Sequence, residues 1–93
     1  MENDTIFSTR DLYLASTLVC LKFYLTKIDF VIEGSKNLPV GYFCFENSPE
    51  IQKARSMYTQ GLLMVEPKMF VTNLKSLKSE VVNANQNPHK YRG

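Results

Sequence analysis

The segment from Phe23 to Glu46 constrains the fold most, because it has the pattern of a long β-hairpin. Toward the end of residues 23–33, apolar and charged side chains alternate. This two-residue period is typical of a strand with one buried face. Turn-forming residues occupy 34–39, and Val40 to Glu46 returns as the second strand. The predicted core face carries Ile28, Phe30, Ile32, Phe43 and Phe45, and the solvated face Lys27, Asp29, Val31, Glu33, Tyr42 and Glu46.

Capping residues predict three helices around the hairpin. Residues 8–11 form a capping box that places Ser8 at the N-cap of a helix running to about Leu21. Ser48-Pro49 begins a second helix, which ends at Gly61, and Pro67 begins a third, which should fray near residues 83–87. Two short segments are ambiguous: residues 5–7 are an edge strand or an N-terminal staple, and residues 62–65 are a short strand or a buried linker.

These elements predict a small α+β domain. Its antiparallel sheet is centred on the hairpin, with three helices on one face, in the order (β)-α-β-β-α-(β)-α, an order that also matches a ferredoxin-like fold. Residues 1–84 are expected to form the single compact domain, and residues 85–93 a flexible polar tail. We expect a cytoplasmic protein without membrane contact, because no apolar run approaches about 18 residues and the N-terminus is acidic.

Residue types that support enzyme chemistry are sparse. His89 is the only histidine and lies in the predicted tail, so we expect no metal site, no His-based catalytic pair and no cofactor. Cys20 and Cys44 are interpreted as small buried apolar residues, since disulfide-stabilised domains of this size usually carry more cysteine. The sequence therefore predicts a protein that is not an enzyme.

The charged residues are distributed unevenly along the chain. Up to Glu50, four basic residues face seven acidic ones, a net charge of −3; beyond it, seven basic residues face two acidic ones, a net charge of +5. This C-terminal half contains the candidate residues for binding nucleic acid, five basic side chains and one aromatic side chain: Lys68, Lys75, Lys78, Lys90, Tyr91 and Arg92. The alternative interpretation is that these residues bind no ligand and form an ordinary solvated helix face followed by a soluble tail.

Two functional hypotheses follow from these observations. The first is an accessory or regulatory protein that binds DNA or RNA through the basic helix and tail. The second is a protein-interaction module of phage or plasmid type that docks on a host protein or self-associates. It is motivated by the lack of catalytic residues and by apolar or aromatic residues outside the helical stripes: Val31, Tyr42, Met57, Met64 and Met69.

Several motifs resemble a family of short bacterial and phage proteins known only as a domain of unknown function. They are FSTRDLYLAS, GYFCF, the Tyr58–Gly61 step and PKMF followed by LKSLKSE, and the similarity covers most of residues 6–82. The shared residues are caps and core aromatics, so the resemblance implies no activity.

The order of the predicted elements also resembles that of RNA-recognition-motif domains, which bind RNA on the open face of the sheet. Here Val40 stands where that motif has a basic residue, and Cys44 where it has a stacking aromatic. The predicted solvated face carries one lysine against three acids. We therefore expect no RNA binding through the sheet face, because phosphates would be repelled.

Overall fold

A computed structural model describes residues 5–33 and 38–86 of the chain. Its elements follow the order β-α-β-β-α-α, so the fold is α+β, as predicted. The strands are β1 (Ile6–Thr9), β2 (Leu25–Glu33) and β3 (Leu38–Glu46), and the helices are α1 (Leu12–Cys20), α2 (Pro49–Gln60) and α3 (Pro67–Gln86). Within these described ranges, no helix has the length and apolar character needed to cross a membrane.

The three strands form one antiparallel sheet in the order β1-β3-β2. β3 lies between β1 and β2, and α1 connects these two outer strands. This is the split β-α-β arrangement of ferredoxin-like folds, here without a fourth strand beside β1 among the described residues. The hairpin and the edge strand at the N-terminus are both confirmed, and β2 contains a bulge between Leu25 and Lys27.

Neither alternative for residues 62–65 is confirmed, because the segment is not a strand and is not a buried linker. This segment has no regular structure, and it leaves Leu62 59% and Met64 89% exposed. Its first residue belongs to the end of α2, because the Leu62 amide donates to the Met57 carbonyl at 2.9 Å. Since α3 begins at Pro67, few residues remain to pair along a sheet edge.

The core lies between one face of the sheet and the helices. Phe43 and Phe45 of β3 are almost completely buried, and they pack with buried side chains from all three helices, Leu14, Ala15, Leu18, Ile51, Ala54 and Leu77. Cross-strand pairs place Ile28 opposite Phe43 and Leu25 opposite Phe45 on this face. The register confirms which residues share each face of the sheet, but Ile32, predicted for the core face, is 38% exposed near the end of β2, and Cys44 on the other face is buried.

The helix ends follow the predicted signals with one exception. Ser48 caps α2 by accepting the Ile51 amide at 3.1 Å, and Gly61 ends that helix with a left-handed φ of 73°. The N-cap of α1 is Asp11, whose Oδ1 accepts the Tyr13 and Leu14 amides at 3.0 and 3.1 Å. The prediction of Ser8 as this cap is wrong, because Ser8 pairs with Cys44 in the sheet.

α3 lies close to the sheet at Gly41. A Cβ built on this glycine would lie 3.2 Å from Val81 Cγ2 and 3.3 Å from Phe30 Cε1. The missing side chain therefore lets α3 pack closely against β3. This contact holds the inner face of α3 against the domain and turns its other side to solvent.

Candidate binding surfaces

Three of the predicted lysines lie together on the outer side of α3. Lys68, Lys75 and Lys78 are all exposed, whereas Leu77 and Ala84 on the opposite side are buried. At about 100° per residue, the three lysines occupy an arc of roughly 80° around the helix axis. We call these three residues the lysine face.

The charges along the lysine face are positive, and an acid stands only before its first residue, where Glu66 accepts the Met69 amide at 2.8 Å. Glu80, the acidic residue of α3, projects more than about 100° away around the axis. No ion pair joins the three lysines to a carboxylate of the described residues. Val71 and Val82, 45% and 39% exposed, lie within the same arc. The surface is therefore a positive stripe with exposed apolar residues near both ends.

The remaining candidate residues lie outside the described part of the chain. Lys90, Tyr91 and Arg92 fall beyond Gln86, as does His89. The contribution that the sequence predicts for them stays a prediction. α3 itself continues to Gln86, two residues into the segment expected to be the tail.

The open face of the sheet differs from an RNA-binding platform. Its one predicted cation is paired, with Lys27 Nζ lying 3.4 Å from Asp29 Oδ1. Cys44 occupies the middle of the central strand and is only 2% exposed. Cys44 has no aromatic ring on which a base could stack, and the absence of RNA binding at this face stays a prediction.

The Cys44 thiol is chemically protected. Burial raises its pKa above the ordinary value of 9.0, and the nearby carboxylate of Asp29 raises it further. Its sulfur lies 3.5 Å from the Tyr42 carbonyl and 3.8 Å from Asp29 Oδ2. Cys20 is also a buried free cysteine, and its sulfur accepts the Asn73 amide at 3.3 Å. The interpretation of both cysteines as small buried residues is confirmed.

We predict that the folded protein resists alkylation at both cysteines. At pH 8 the Cys44 thiolate is a minor species, since its pKa is raised, and reagent access is blocked by burial. Mass spectrometry after iodoacetamide treatment should show little label on the native protein and two labels in denaturing urea. Rapid single labelling of the native protein at Cys44 would contradict this placement.

The interaction residues predicted from the sequence are spread over the molecule. Met64, Val31 and Met69 are 89%, 43% and 37% exposed, whereas Tyr42 and Met57 are partly buried. Met69 lies near the start of α3, and Val31 lies on the open face of the sheet. These five residues do not form one apolar patch.

A groove that the sequence did not predict lies between β1 and α2. It has a volume of about 520 Å³, and we call it the edge groove; it is lined by Phe7, Ser8, Thr9, Asp11, Leu14, Gln52, Arg55, Tyr58 and Thr59. Burial raises the pKa of the Tyr58 phenol above 10.0, and the Asp11 carboxylate contributes to this rise. No fourth strand covers β1 in the part of the chain that the structure describes, and this leaves the groove open, so only the strand order could have revealed it.

The described residues offer no metal centre. Within residues 5–33 and 38–86, no cluster of three or more His, Cys, Asp or Glu residues is placed to hold a metal ion. The lysine face and the edge groove are two surfaces of the described residues whose geometry supports a functional argument.

One comparison with known proteins gives a match. A family model described as a domain of unknown function (DUF5659) matches residues 4–83. No curated protein and no solved structure gives a significant match. The match agrees with the resemblance seen in the sequence motifs.

Proposed function

The chain belongs to the DUF5659 family of unknown function, and we propose that it is a non-enzymatic accessory protein that binds nucleic acid through phosphate contacts. Lys68, Lys75 and Lys78 are the residues assigned to these contacts. The basic tail residues Lys90 and Arg92 would add to them, with Tyr91 available to stack on a base.

One observation carries the proposal. The three lysines share one exposed side of α3 and have no carboxylate partner among the described residues. A helix face that serves solubility alone usually mixes both signs of charge. Three ammonium groups on one helix face, with no described carboxylate beside them, instead offer a site for a polyanion.

The spacing of the lysines suits a phosphate backbone. Lys68 and Lys75 are about 10 Å apart along the helix axis, and Lys75 and Lys78 about 4.5 Å, at about 1.5 Å per residue. Lysine contributes a point charge without the planar donor pair that arginine offers to guanine. Binding should therefore depend on phosphate density and distinguish poorly between base sequences.

We expect binding that weakens steeply with salt. The three lysines of α3 alone, each neutralising one phosphate of duplex DNA, give a slope of about −2.7 in log affinity against log salt, a loss of about 40-fold between roughly 50 and 200 mM, and contacts from the tail would make the slope steeper. For single strands the corresponding loss is about 18-fold. The measurement is fluorescence anisotropy with labelled single- and double-stranded DNA and RNA. Affinity that does not change between the two salt concentrations would contradict the proposal.

A further inference from the structure

The outer edge of β1 presents unpaired backbone groups. The Asn47 amide donates to the Thr5 carbonyl at 3.1 Å, so residues 5, 7 and 9 are the hydrogen-bonded partners of β3. Ile6 and Ser8 lie between them, and their amides and carbonyls therefore point away from β3. Two N–H groups and two C=O groups stand along this edge for a further strand.

The edge groove provides room for that strand. Phe7, Ser8 and Thr9 form one wall, and Gln52, Arg55 and Tyr58 of α2 contribute to the other. α2 therefore extends past the edge of the sheet, over the position that a fourth strand occupies in a ferredoxin-like fold. The volume of about 520 Å³ suits an extended segment with side chains of moderate size.

Arg55 gives the edge groove an electrostatic preference. Its side chain is exposed, and its Nε donates to Gln52 Oε1 at 3.4 Å. The Asp11 carboxylate in the same groove already accepts two amides at the start of α1. The described residues supply Arg55 with no ion-pair partner, so its guanidinium can still bind a carboxylate.

We propose that the edge groove binds an extended peptide with acidic side chains, which adds to β1 as a fourth antiparallel strand. The peptide exchanges up to four backbone hydrogen bonds with Ile6 and Ser8. Its side chains opposite Phe7 point under α2, where a carboxylate meets Arg55. The intervening side chains lie beside Ile6, which is 47% exposed, on the open face of the sheet.

A second copy of the chain fits this site less well. Two β1 strands pairing edge to edge would bring residues 5–10, which contain no carboxylate and one cation, Arg10. The paired strand itself would then offer Arg55 no carboxylate, and Asp11 of the second copy, the next described acid along the chain, already caps α1. The outer edge of β2 is protected differently, because it carries a bulge and two charged side chains, Lys27 and Asp29.

The probe for this site is a labelled peptide of four alternating glutamate-valine pairs, with a lysine-valine peptide as the charge control. We expect saturable binding of the glutamate peptide and at least fivefold weaker binding of the lysine peptide. In amide hydrogen exchange, Ile6 and Ser8 should be unprotected in the free protein and gain protection with the peptide. Phe7 and Thr9 should be protected in both states.

Methylated peptides test the backbone pairing directly. In the proposed register the valine amides bond to β1 and the glutamate amides point to solvent. Methylation of the valine nitrogens should therefore abolish binding, while methylation of the glutamate nitrogens should change it by less than about threefold. Equal effects of the two modifications would overturn the proposed strand addition.

Substitution of Arg55 tests the charge preference. Arg55→Glu should weaken the glutamate peptide at least about fivefold and improve the lysine peptide. Lys53→Glu is the matched control, because Lys53 is an exposed cation of α2 that does not line the edge groove. An equal loss in both variants would overturn the role of Arg55. Protection of Ile6 and Ser8 without peptide, together with dimer mass in sedimentation equilibrium, would instead assign the edge to a second copy.

Discussion

Phe45→Ala is expected to lower the free energy of unfolding by about 3 to 5 kcal/mol. The Phe45 side chain is 0% exposed and lies in the central strand, where both neighbouring strands and the helices surround it. Its ring centroid is 6.4 Å from that of Phe7, at an angle of 43°. Truncation would leave a cavity that a closely packed core cannot fill.

Urea denaturation followed by circular dichroism measures this loss. Glu46→Ala is the matched control, since Glu46 is the next residue on the same strand and is exposed on the opposite face. That variant should change the unfolding free energy by less than about 0.5 kcal/mol. Similar stabilities for the two variants would show that Phe45 does not occupy the core described above.

The double variant Lys75→Glu, Lys78→Glu is expected to bind nucleic acid at least about tenfold more weakly than the wild type at low salt. The substitutions remove two of the three phosphate contacts assigned to α3 and place two carboxylates beside the phosphates. Because phosphates are common to all sequences, the loss should be alike for every probe. Neither side chain is buried, so the fold should be unaffected.

Lys22→Glu, Lys53→Glu is the matched control for this variant. It makes the same change in net charge with two exposed lysines that lie outside α3. If overall charge alone attracts nucleic acid, both double variants should weaken binding equally. A loss specific to the α3 variant would assign the contact to the lysine face.

Local signals explain why much of the fold could be predicted from the sequence. The alternation in residues 23–46, the Ser48-Pro49 cap and the Gly61 helix end each depend on neighbours along the chain. The helical period also determines which residues share a face of α3, so the three lysines could be placed on one outer side from the sequence.

The errors arise where distant parts of the chain decide the structure. Both Ser8 and Asp11 satisfy local rules for an N-cap, and pairing of Ser8 with Cys44 in the sheet leaves the role to Asp11. The apolar run at residues 62–65 resembles a strand, yet it has no strand partner among the described residues. The edge groove likewise depends on strand pairing, because no described strand pairs with the outer edge of β1. No local sequence pattern predicts it.

The salt dependence of duplex DNA binding, measured for the wild type and for Lys75→Glu, Lys78→Glu, tests the central claim most directly. We expect Lys68, Lys75 and Lys78 together to contribute about −2.7 to the slope, in addition to any contribution of the basic tail, and the two substitutions to reduce its magnitude by about 1.8. The Lys22→Glu, Lys53→Glu control should keep the wild-type slope. Equal slopes for the wild type and the α3 variant would contradict the claim that the lysine face binds phosphate.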